Sequence, residues 1–404
     1  MIKLGLIREG KTPPDSRVAL IPAQVKAIEA SGKYKVLVQP SPTRCYKDEE
    51  YLASGLSLSD DMESCDFLLG IKEVPKDQLI PNKKYFFFSH TYKKQPYNQA
   101  LLQKIIDDQI TLLDYELLTN EEGNRVIAFG FFAGMVGAHN ALYTYAQRTK
   151  SFELKRLKDC FDYAEATDLY NKTSFPPVKI VLTGTGRVGS GAAKVLTDMG
   201  ILQVSPKAFL NDNFSEAVFT QLAPEDYVER TDGSTYVTQH FYDHPQEYKT
   251  IFAPYTKVAD IMINGIYWAN EAPAFFSLEE MKDSDWSIQV IADVTCDIAP
   301  VSSIPSTLFA STIADPIFGF DPRTGKQTDP HQEGVVDMMT IDNLPNELPR
   351  DASKAFGEMF TDHVLDALDD PNDKILERSM IASNGKLGPY YTYLSEDYIT
   401  EKNA

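Results

Sequence analysis

Short apolar runs alternate with longer stretches of helical spacing along the chain, the pattern of strand–helix–strand units feeding a parallel sheet. In the first third, residues 3–7, 35–38, 67–70, 85–88 and 111–114 read as strands, and 22–31 and 95–107 as helices. Nearly unalternated apolar runs of this length are what strands buried on both faces require. A second series starts after Gly130, with a long helix expected over 131–148 and a break at Phe175-Pro176-Pro177. Its strands are expected at 178–183, 217–221, 261–263 and 288–292, with 308–311 a further candidate. Residues 201–256 are rich in Pro, Asp and Tyr and read as a partly irregular insertion around one strand. A final helix is expected over 351–368, opened by Pro349-Arg350-Asp351.

At 404 residues the chain has room for about two domains. Its 43% hydrophobic and 24% charged residues are those of a globular protein rather than a disordered or fibrous one. Cys45, Cys65, Cys160 and Cys296 lie far apart, which gives neither a disulfide framework nor a zinc ribbon. A net charge of −19 repels phosphate backbones and anionic lipid. No run approaches the roughly 18 apolar residues of a membrane span, and no leader is read at Met1-Ile2-Lys3. A cytoplasmic protein is expected, without nucleic-acid or membrane partners and with its oligomeric state open. A small anionic ligand is compatible with this charge, because convergent arginines in a cleft outweigh a distant acidic surface that salt screens.

The strongest local motif is Gly184-Thr185-Gly186-Arg187-Val188-Gly189, a GxGxxG pattern between the expected strand 178–183 and a following helix. Bare glycines there permit a tight turn and close approach of a pyrophosphate, held by backbone N–H groups at the helix N-terminus. A structural glycine turn is the plainer alternative. Cofactor choice is read from the next strand, where an acid usually binds the ribose hydroxyls of NAD. Here 217–222 ends without one; Asp212 and Glu216 precede it and Glu225 and Asp226 follow. NADP therefore competes with NAD, with Arg187 or Arg230 as partners for a 2′-phosphate.

In an open parallel sheet, residues just past the strand ends converge on one crevice. The first strand series places Arg8 and Glu9, Lys72 and Glu73, Ser89 and His90, and Tyr115 and Glu116 there. Each alone fits a solvated strand end or a hydrogen-bonded turn. Together, a lysine and a histidine facing a nicotinamide suit chemistry at a carbon bearing nitrogen, where imine formation and hydrolysis need an acid and a base. His139, His240, His244, His331 and His363 lack partners at metal-ligand spacing, and no catalytic metal is expected.

Several further blocks occur in order: Arg8-Glu9 with Asp15-Ser16-Arg17-Val18-Ala19-Leu20-Ile21-Pro22; Gly70-Ile71-Lys72-Glu73-Val74-Pro75; Phe88-Ser89-His90-Thr91-Tyr92-Lys93; and Arg125-Val126-Ile127-Ala128-Phe129-Gly130. The second half adds Ile263-Asn264-Gly265-Ile266-Tyr267-Trp268, Ala292-Asp293-Val294 and Ile341-Asp342-Asn343-Leu344-Pro345. In these blocks the sequence resembles the lysine-forming saccharopine dehydrogenases and the lysine-ketoglutarate reductase half of aminoadipate semialdehyde synthase, within the alanine dehydrogenase and transhydrogenase N-terminal superfamily. The resemblance covers nearly the whole chain.

It implies an α/β fold of two Rossmann-like, doubly wound parallel-sheet domains with a cleft between them. Residues 1–130, completed by 346–404, would form the substrate domain and 131–345 the dinucleotide-binding domain. It further implies that Lys72 and His90 are the acid–base pair, tuned by Glu73 and Glu116, and that Arg17 and Arg125 bind substrate carboxylates beside Phe129. Gly184, Gly186, Arg187, Val188, Gly189 and Asp342 would contact NAD(P). The implied substrates are saccharopine, lysine and 2-oxoglutarate. Saccharopine carries three carboxylates, which suits two-point binding by guanidinium groups.

Some fungal relatives carry cysteines in the glycine loop and before the Ile-Tyr pair, where this chain has Val188 and Gly265. The stretches 242–245 and 315–322 look more like the reductase half, which prefers NADPH. With the chain ending at Ala404, no glutamate-forming domain is expected after it. The rival readings are an alanine dehydrogenase-like enzyme and a nucleotide-sensing protein without turnover.

Overall fold

The structure, a computed structural model, describes residues 1–370, 372–395 and 398–399. The chain divides into two compact units, Met1–Phe129 with Pro349–Ala404, and Gly130–Leu348. Within the 346–404 segment assigned above to the substrate domain, residues 371, 396–397 and 400–404 lie outside the described residues. Among the described residues no helix is long and apolar enough to cross a membrane.

The first unit is built on five parallel strands, β1 (Ile2–Leu6), β2 (Tyr34–Val38), β3 (Phe67–Leu69), β4 (Lys84–Phe87) and β5 (Thr111–Asp114). Their spatial order is β2-β1-β3-β4-β5, so the direction of winding reverses at β1. Helices α1 (Pro22–Ala30), α2 (Asp48–Ala53) and α3 (Gln99–Asp107) connect them. Helix α1 starts with Pro22 at its first position, where the missing N–H costs nothing, and buries Val25 and Ile28. The returning segment supplies α10 (Pro349–His363), α11 (Lys374–Ser379) and two strands, β16 (Met380–Ser383) and β17 (Lys386–Leu387). Strand β16 pairs antiparallel with β5, an edge that sequence reading did not anticipate. Helix α10 packs Phe356 against Tyr115, with ring centroids 4.8 Å apart, and Phe360 against Phe86 at 5.8 Å. The helix expected over 351–368 stops at His363, because Val364 and Leu365 both bond back to the Phe360 carbonyl and turn the chain into a short 3₁₀ segment.

The second unit has an eight-stranded sheet. Its parallel part comprises β6 (Lys179–Thr183), β7 (Leu202–Gln203), β8 (Val218–Leu222), β11 (Ile261–Asn264), β12 (Val290–Asp293) and β15 (Val336–Met339). Strand β6 is central, flanked by β8 on one side and β11 on the other. Strands β13 (Ile317–Asp321) and β14 (Lys326–Thr328) complete an antiparallel edge beyond β15. Helices α4 (Gly130–Thr149), α5 (Tyr163–Tyr170) and α6 (Arg187–Asp198) surround β6 in sequence.

Two expectations are corrected here. The stretch 308–311 is not a strand; only Ser311 makes a single bridge, to Ile341. That edge is formed by β13 to β15 instead, and β15 went unread because Asp337 interrupts its apolar run. The carboxylate of Asp337 is fully buried and satisfied by His331 at 2.7 Å and Arg148 at 3.2 Å. Residues 201–256 are also more regular than expected: besides β7 and β8 they form α7 (Pro206–Asn211), α8 (Thr238–Asp243), α9 (Ala253–Thr256) and an antiparallel ribbon of β9 (Val228–Arg230) with β10 (Tyr248–Thr250). Tyr227, Val228, Tyr248, Phe252 and Tyr255 are buried from this segment, so aromatic burial organises it where periodicity is hidden by turn residues.

Candidate active site

In the first unit, Lys72 and Glu73 follow β3, His90 follows β4 and Glu116 follows β5. The parallel register brings these strand ends to one edge of the sheet. The carboxyl of Glu9, just past β1, accepts the backbone N–H groups of Ile71 at 2.6 Å and Lys72 at 2.9 Å and so fixes the chain at Lys72. Burial, with the charge of Asp15 next, pushes Glu9 up to about 8. Asp114 plays the matching part at the next strand ends: it accepts the Ser89 N–H and hydroxyl at 2.8 and 2.6 Å and the Glu116 N–H at 2.8 Å. His90 is thereby held at φ +55°, a left-handed conformation costing a non-glycine residue about 1–3 kcal/mol.

The side chains form a connected array. Glu73 bridges His90 Nδ1 at 3.1 Å and Lys11 Nζ at 2.8 Å. Burial alone would raise the Glu73 pKa, but these two hydrogen bonds outweigh it and hold the carboxyl down at about 2. The other ring nitrogen of His90 lies 3.9 Å from Glu116. Burial pushes Glu116 up as well, and the Arg125 and Lys93 charges overcome it to leave its pKa lowered. Glu116 accepts from Lys93 at 3.1 Å and is also paired with Arg125. Burial, then the nearby Arg17 charge, lowers the pKa of Lys72 against the opposing pull of Asp15 and Glu73. A lysine so shifted gives up a proton more readily than an exposed one.

The two arginines differ. Arg17 is 2% exposed, and Asp15 takes its Nε–Nη2 edge through bonds of 2.9 and 2.6 Å. Its guanidinium stacks over Phe129 at 4.2 Å. Arg125 is 46% exposed and reaches the cluster through Glu116. Sequence reasoning gave no role to Lys11, Asp15, Lys93 or Asp114. Asp15 and Lys93 stood inside quoted blocks, but nothing in the spacing shows which way their side chains turn.

In the second unit, the glycine motif forms the turn between β6 and α6. Gly184 sits at φ +97°, and a side chain there would meet the Gly265 carbonyl oxygen at 2.6 Å. A Cβ at Gly189 would come within 1.9 Å of the Gly184 oxygen, so this position permits helix and turn to close on each other. Around Gly186 nothing lies within 4 Å of an added Cβ, leaving open space in front of the first turn of α6. That combination fits a pyrophosphate received by backbone N–H groups. Arg187 is exposed at the start of α6. Val188 packs inward, its Cγ1 2.8 Å from where a Gly265 Cβ would stand. Gln221, at the end of β8, donates to the Gly184 carbonyl at 2.9 Å. Asp226 turns back to cap the Ala223 N–H at 2.9 Å, and Arg230 is engaged by Asp232 at 2.8 Å.

Behind the turn, the carboxyl ends of β6, β11 and β12 share a buried network: Thr183 donates to Asn264, Asn264 to Asp293 and Ser303, and Thr307 to Asp293 at 2.6 Å. Burial pushes Asp293 up to about 6. Asp342 lies exposed past β15. Its charge, after burial and Asp293, helps push the Cys296 thiol up to about 12. Among the described residues no His, Cys, Asp and Glu group is placed to hold a metal ion.

Residues 5–136 match the family Alanine dehydrogenase/PNT, N-terminal domain. The chain is 29% identical to the alpha-aminoadipic semialdehyde synthase of Arabidopsis thaliana, with 97% of this chain and 41% of that protein covered. It is 28% identical to the mitochondrial Bos taurus protein of the same name, covering 97% and 47%. The chain thus spans under half the length of these relatives. It is 27% identical to the saccharopine dehydrogenase [NAD(+), L-lysine-forming] of Emericella nidulans, over 94% of this chain and 96% of that one. In structure it is similar to an L-alanine dehydrogenase (TM-score 0.66, 14% identity, 98% and 100% covered). A transhydrogenase from Sinorhizobium meliloti gives a TM-score of 0.61 at 14% identity, with 95% and 99% covered. These likenesses bear out the α/β fold and the resemblance read from the sequence: residues 5–136 match the alanine dehydrogenase/PNT N-terminal domain, in a chain similar nearly throughout to lysine-forming saccharopine dehydrogenases.

Proposed function

We propose that the chain is an NAD(P)-dependent oxidoreductase of CH–NH bonds that interconverts saccharopine with lysine and 2-oxoglutarate. The observation that carries this reading is the array of Lys72, Glu73, His90 and Glu116 at one sheet edge, with Glu73 bonded to His90 at 3.1 Å and Lys72 held in a partly desolvated site. The likeness to lysine-forming saccharopine dehydrogenases over most of both chains supports it. Gly184, Gly186, Arg187 and Gly189 would hold the nucleotide, with Val188 packing behind the turn and Asp342 near its nicotinamide end. The nicotinamide supplies the hydride acceptor for the secondary amine of saccharopine.

In that direction His90 accepts a proton from water as its oxygen bonds to the imine carbon. Glu73 fixes the ring tautomer and orientation through Nδ1. Lys72 then donates a proton to the departing lysine nitrogen as the carbinolamine C–N bond breaks, and the hydroxyl passes its own proton to water as it becomes the 2-oxoglutarate ketone. Arg125 receives one substrate carboxylate, and Arg17 a second.

Nicotinamide oxidation with lysine plus 2-oxoglutarate, against pyruvate plus ammonium, tests the reading. Turnover with the first pair is expected. Turnover with pyruvate and ammonium alone would mark an alanine dehydrogenase-like enzyme, and nucleotide binding without turnover a sensor. NADPH is expected to compete effectively with NADH, because the Asp226 carboxylate is drawn back onto its own turn. An NADH affinity orders of magnitude tighter would show an acid reaching the ribose.

A further inference from the structure

A cavity of about 210 Å³ in the first unit has no task in the function above. Its floor is apolar, made of Ile7, Met62, Val74, Ile80 and Tyr85. Met62, Val74 and Tyr85 belong to the core that α3 covers, whereas Phe129, over which Arg17 stacks, packs with Phe356 of α10 against the other core. The strand neighbours Tyr85 and Phe86 divide between these two cores, so the cavity opens on the sheet face away from Arg17. Its rim is polar and consists of Arg8, Gln39 and Gln78.

That rim is a set of donors. Gln39 Oε1 accepts the Arg8 N–H at 3.0 Å, and neither the Gln39 NH2 group nor the Gln78 amide has a hydrogen-bond partner among the described residues. The Arg8 guanidinium has one ion pair, with Asp60 at 3.5 Å, and the two side chains are 48% and 73% exposed. A pair so placed contributes little, and a carboxylate held by several donors displaces it readily. The Tyr85 hydroxyl is already occupied by the Ile80 N–H at 2.9 Å. At roughly 30 Å³ for each water-sized group, the space holds about seven non-hydrogen atoms. One guanidinium and two amide NH2 groups above five apolar side chains suit a carboxylate with a branched aliphatic body. Inorganic phosphate would set a dianion against that floor.

The walls are shared with the candidate active site. Segment 8–11 is fastened to 71–78 at three points. Glu9 accepts the Ile71 and Lys72 N–H groups at 2.6 and 2.9 Å, and Lys11 pairs with Glu73 at 2.8 Å. A Cβ on Gly10 would stand 2.5 Å from Gln78 Oε1 and 2.8 Å from Pro75 Cγ, so the chains lie flat on each other there. Arg8 and Gln78 thus belong to the two segments that carry Glu9, Lys11, Lys72 and Glu73. We propose that the cavity is a second ligand site, for a small branched aliphatic carboxylate, and that an occupant held between Arg8 and Gln78 clamps these segments together and steadies the backbone at Lys72.

Calorimetric titration of the full chain with isovalerate and with inorganic phosphate tests the site, and hydrogen–deuterium exchange of residues 68–78 with and without isovalerate tests the clamp. Isovalerate is expected to bind the wild type and to slow exchange of the Ile71 and Lys72 amides. Arg8→Gln removes the charge and Gln78→Trp fills the space, both at exposed positions. Each should weaken isovalerate roughly 10-fold or more, the scale of one charge-assisted hydrogen bond, with thermal unfolding near wild type. Arg125→Ala should bind isovalerate as the wild type does. No binding to the wild type, or binding unchanged in both rim variants, would overturn the site. Loss in Arg125→Ala with retention in Arg8→Gln would overturn it in favour of the candidate active site. Phosphate bound as tightly as isovalerate, with the same dependence on Arg8, would overturn the aliphatic class. Binding without slower exchange would overturn the clamp. Neither measurement uses turnover or nucleotide, so these outcomes stand apart from the enzymatic reading.

Discussion

The two sheets place their chemistry at the same kind of edge and fill it in opposite ways. Past β3, β4 and β5 the first unit sets Lys72, Glu73, His90 and Glu116 among charged neighbours. Past β6, β8, β11 and β12 the second unit sets glycines, Gln221, Asn264 and aromatic rings, and its one deeply buried acid there, Asp293, is pushed towards the neutral form. On the function proposed above, one edge would move protons and the other hold a ligand by shape and backbone N–H groups. A winding pattern therefore predicts where a site is, and the side chains loaded on it decide what kind of site it is.

The largest effect that could break this contrast is on turnover. A Lys72→Met, His90→Gln double variant should lose about 10² to 10⁴ in rate, the usual contribution of general acid–base groups, and its pH–rate profile should flatten. NADPH affinity, measured separately, should stay near wild type. Near-normal turnover would take the proton chemistry away from the first unit.

The arginines sharpen the contrast within that unit. Arg17→Ala breaks the buried Arg17–Asp15 ion pair, a loss of about 3–5 kcal/mol in stability. Arg125→Ala should leave thermal unfolding nearly unchanged and raise KM for 2-oxoglutarate or saccharopine. If both variants unfold alike, Arg125 is a structural ion pair after all; if nucleotide affinity falls with substrate affinity, neither arginine is specific for carboxylates.

Smaller effects should separate Glu73 from Asp293 by the sign of their pH dependence. Glu73, lowered from 4.5 to about 2, contributes stability that is present above about pH 4.5 and lost as pH falls towards 2. Asp293, raised from 3.8 to about 6, behaves oppositely: its contribution is full below about pH 3.8 and lost as pH rises through 6. Glu73→Gln should therefore destabilise at pH 7, less so as pH drops below 4.5. Asp293→Asn should gain on wild type between pH 4 and 7. Each difference is at most roughly 3 kcal/mol, followed by denaturant unfolding across pH. Parallel pH curves for the two variants would contradict the assigned charge states.

The five parallel strands of the first unit were legible because runs such as Phe67-Leu68-Leu69 are apolar without alternation, which only a doubly covered strand explains. The glycine turn was legible because it must stand between a strand and a helix. Strand β15 was not: its Asp337 is buried by partners, Arg148 and His331, that lie far off in sequence or outside the strand. The β9–β10 ribbon was hidden because aromatic burial rather than periodicity holds it. At the candidate site, strand-end position brought Lys72, Glu73, His90 and Glu116 to notice. The parts of Lys11, Asp15 and Lys93 depend on side-chain direction, which no spacing rule carries, and so does the pairing of Arg17 with Asp15.

Strand β16 and helix α10, which close the first sheet and cover Tyr115, come from residues made only after the whole of 130–348. On the ribosome the nascent amino-terminal segment must therefore wait with the β5 edge unpaired and an aromatic face bare. At about 5–20 residues per second the delay is roughly 10 to 45 seconds. Through that interval the growing chain exposes both a strand template and a sticky surface, which makes newly started copies, rather than finished ones, the natural clients of a chaperone.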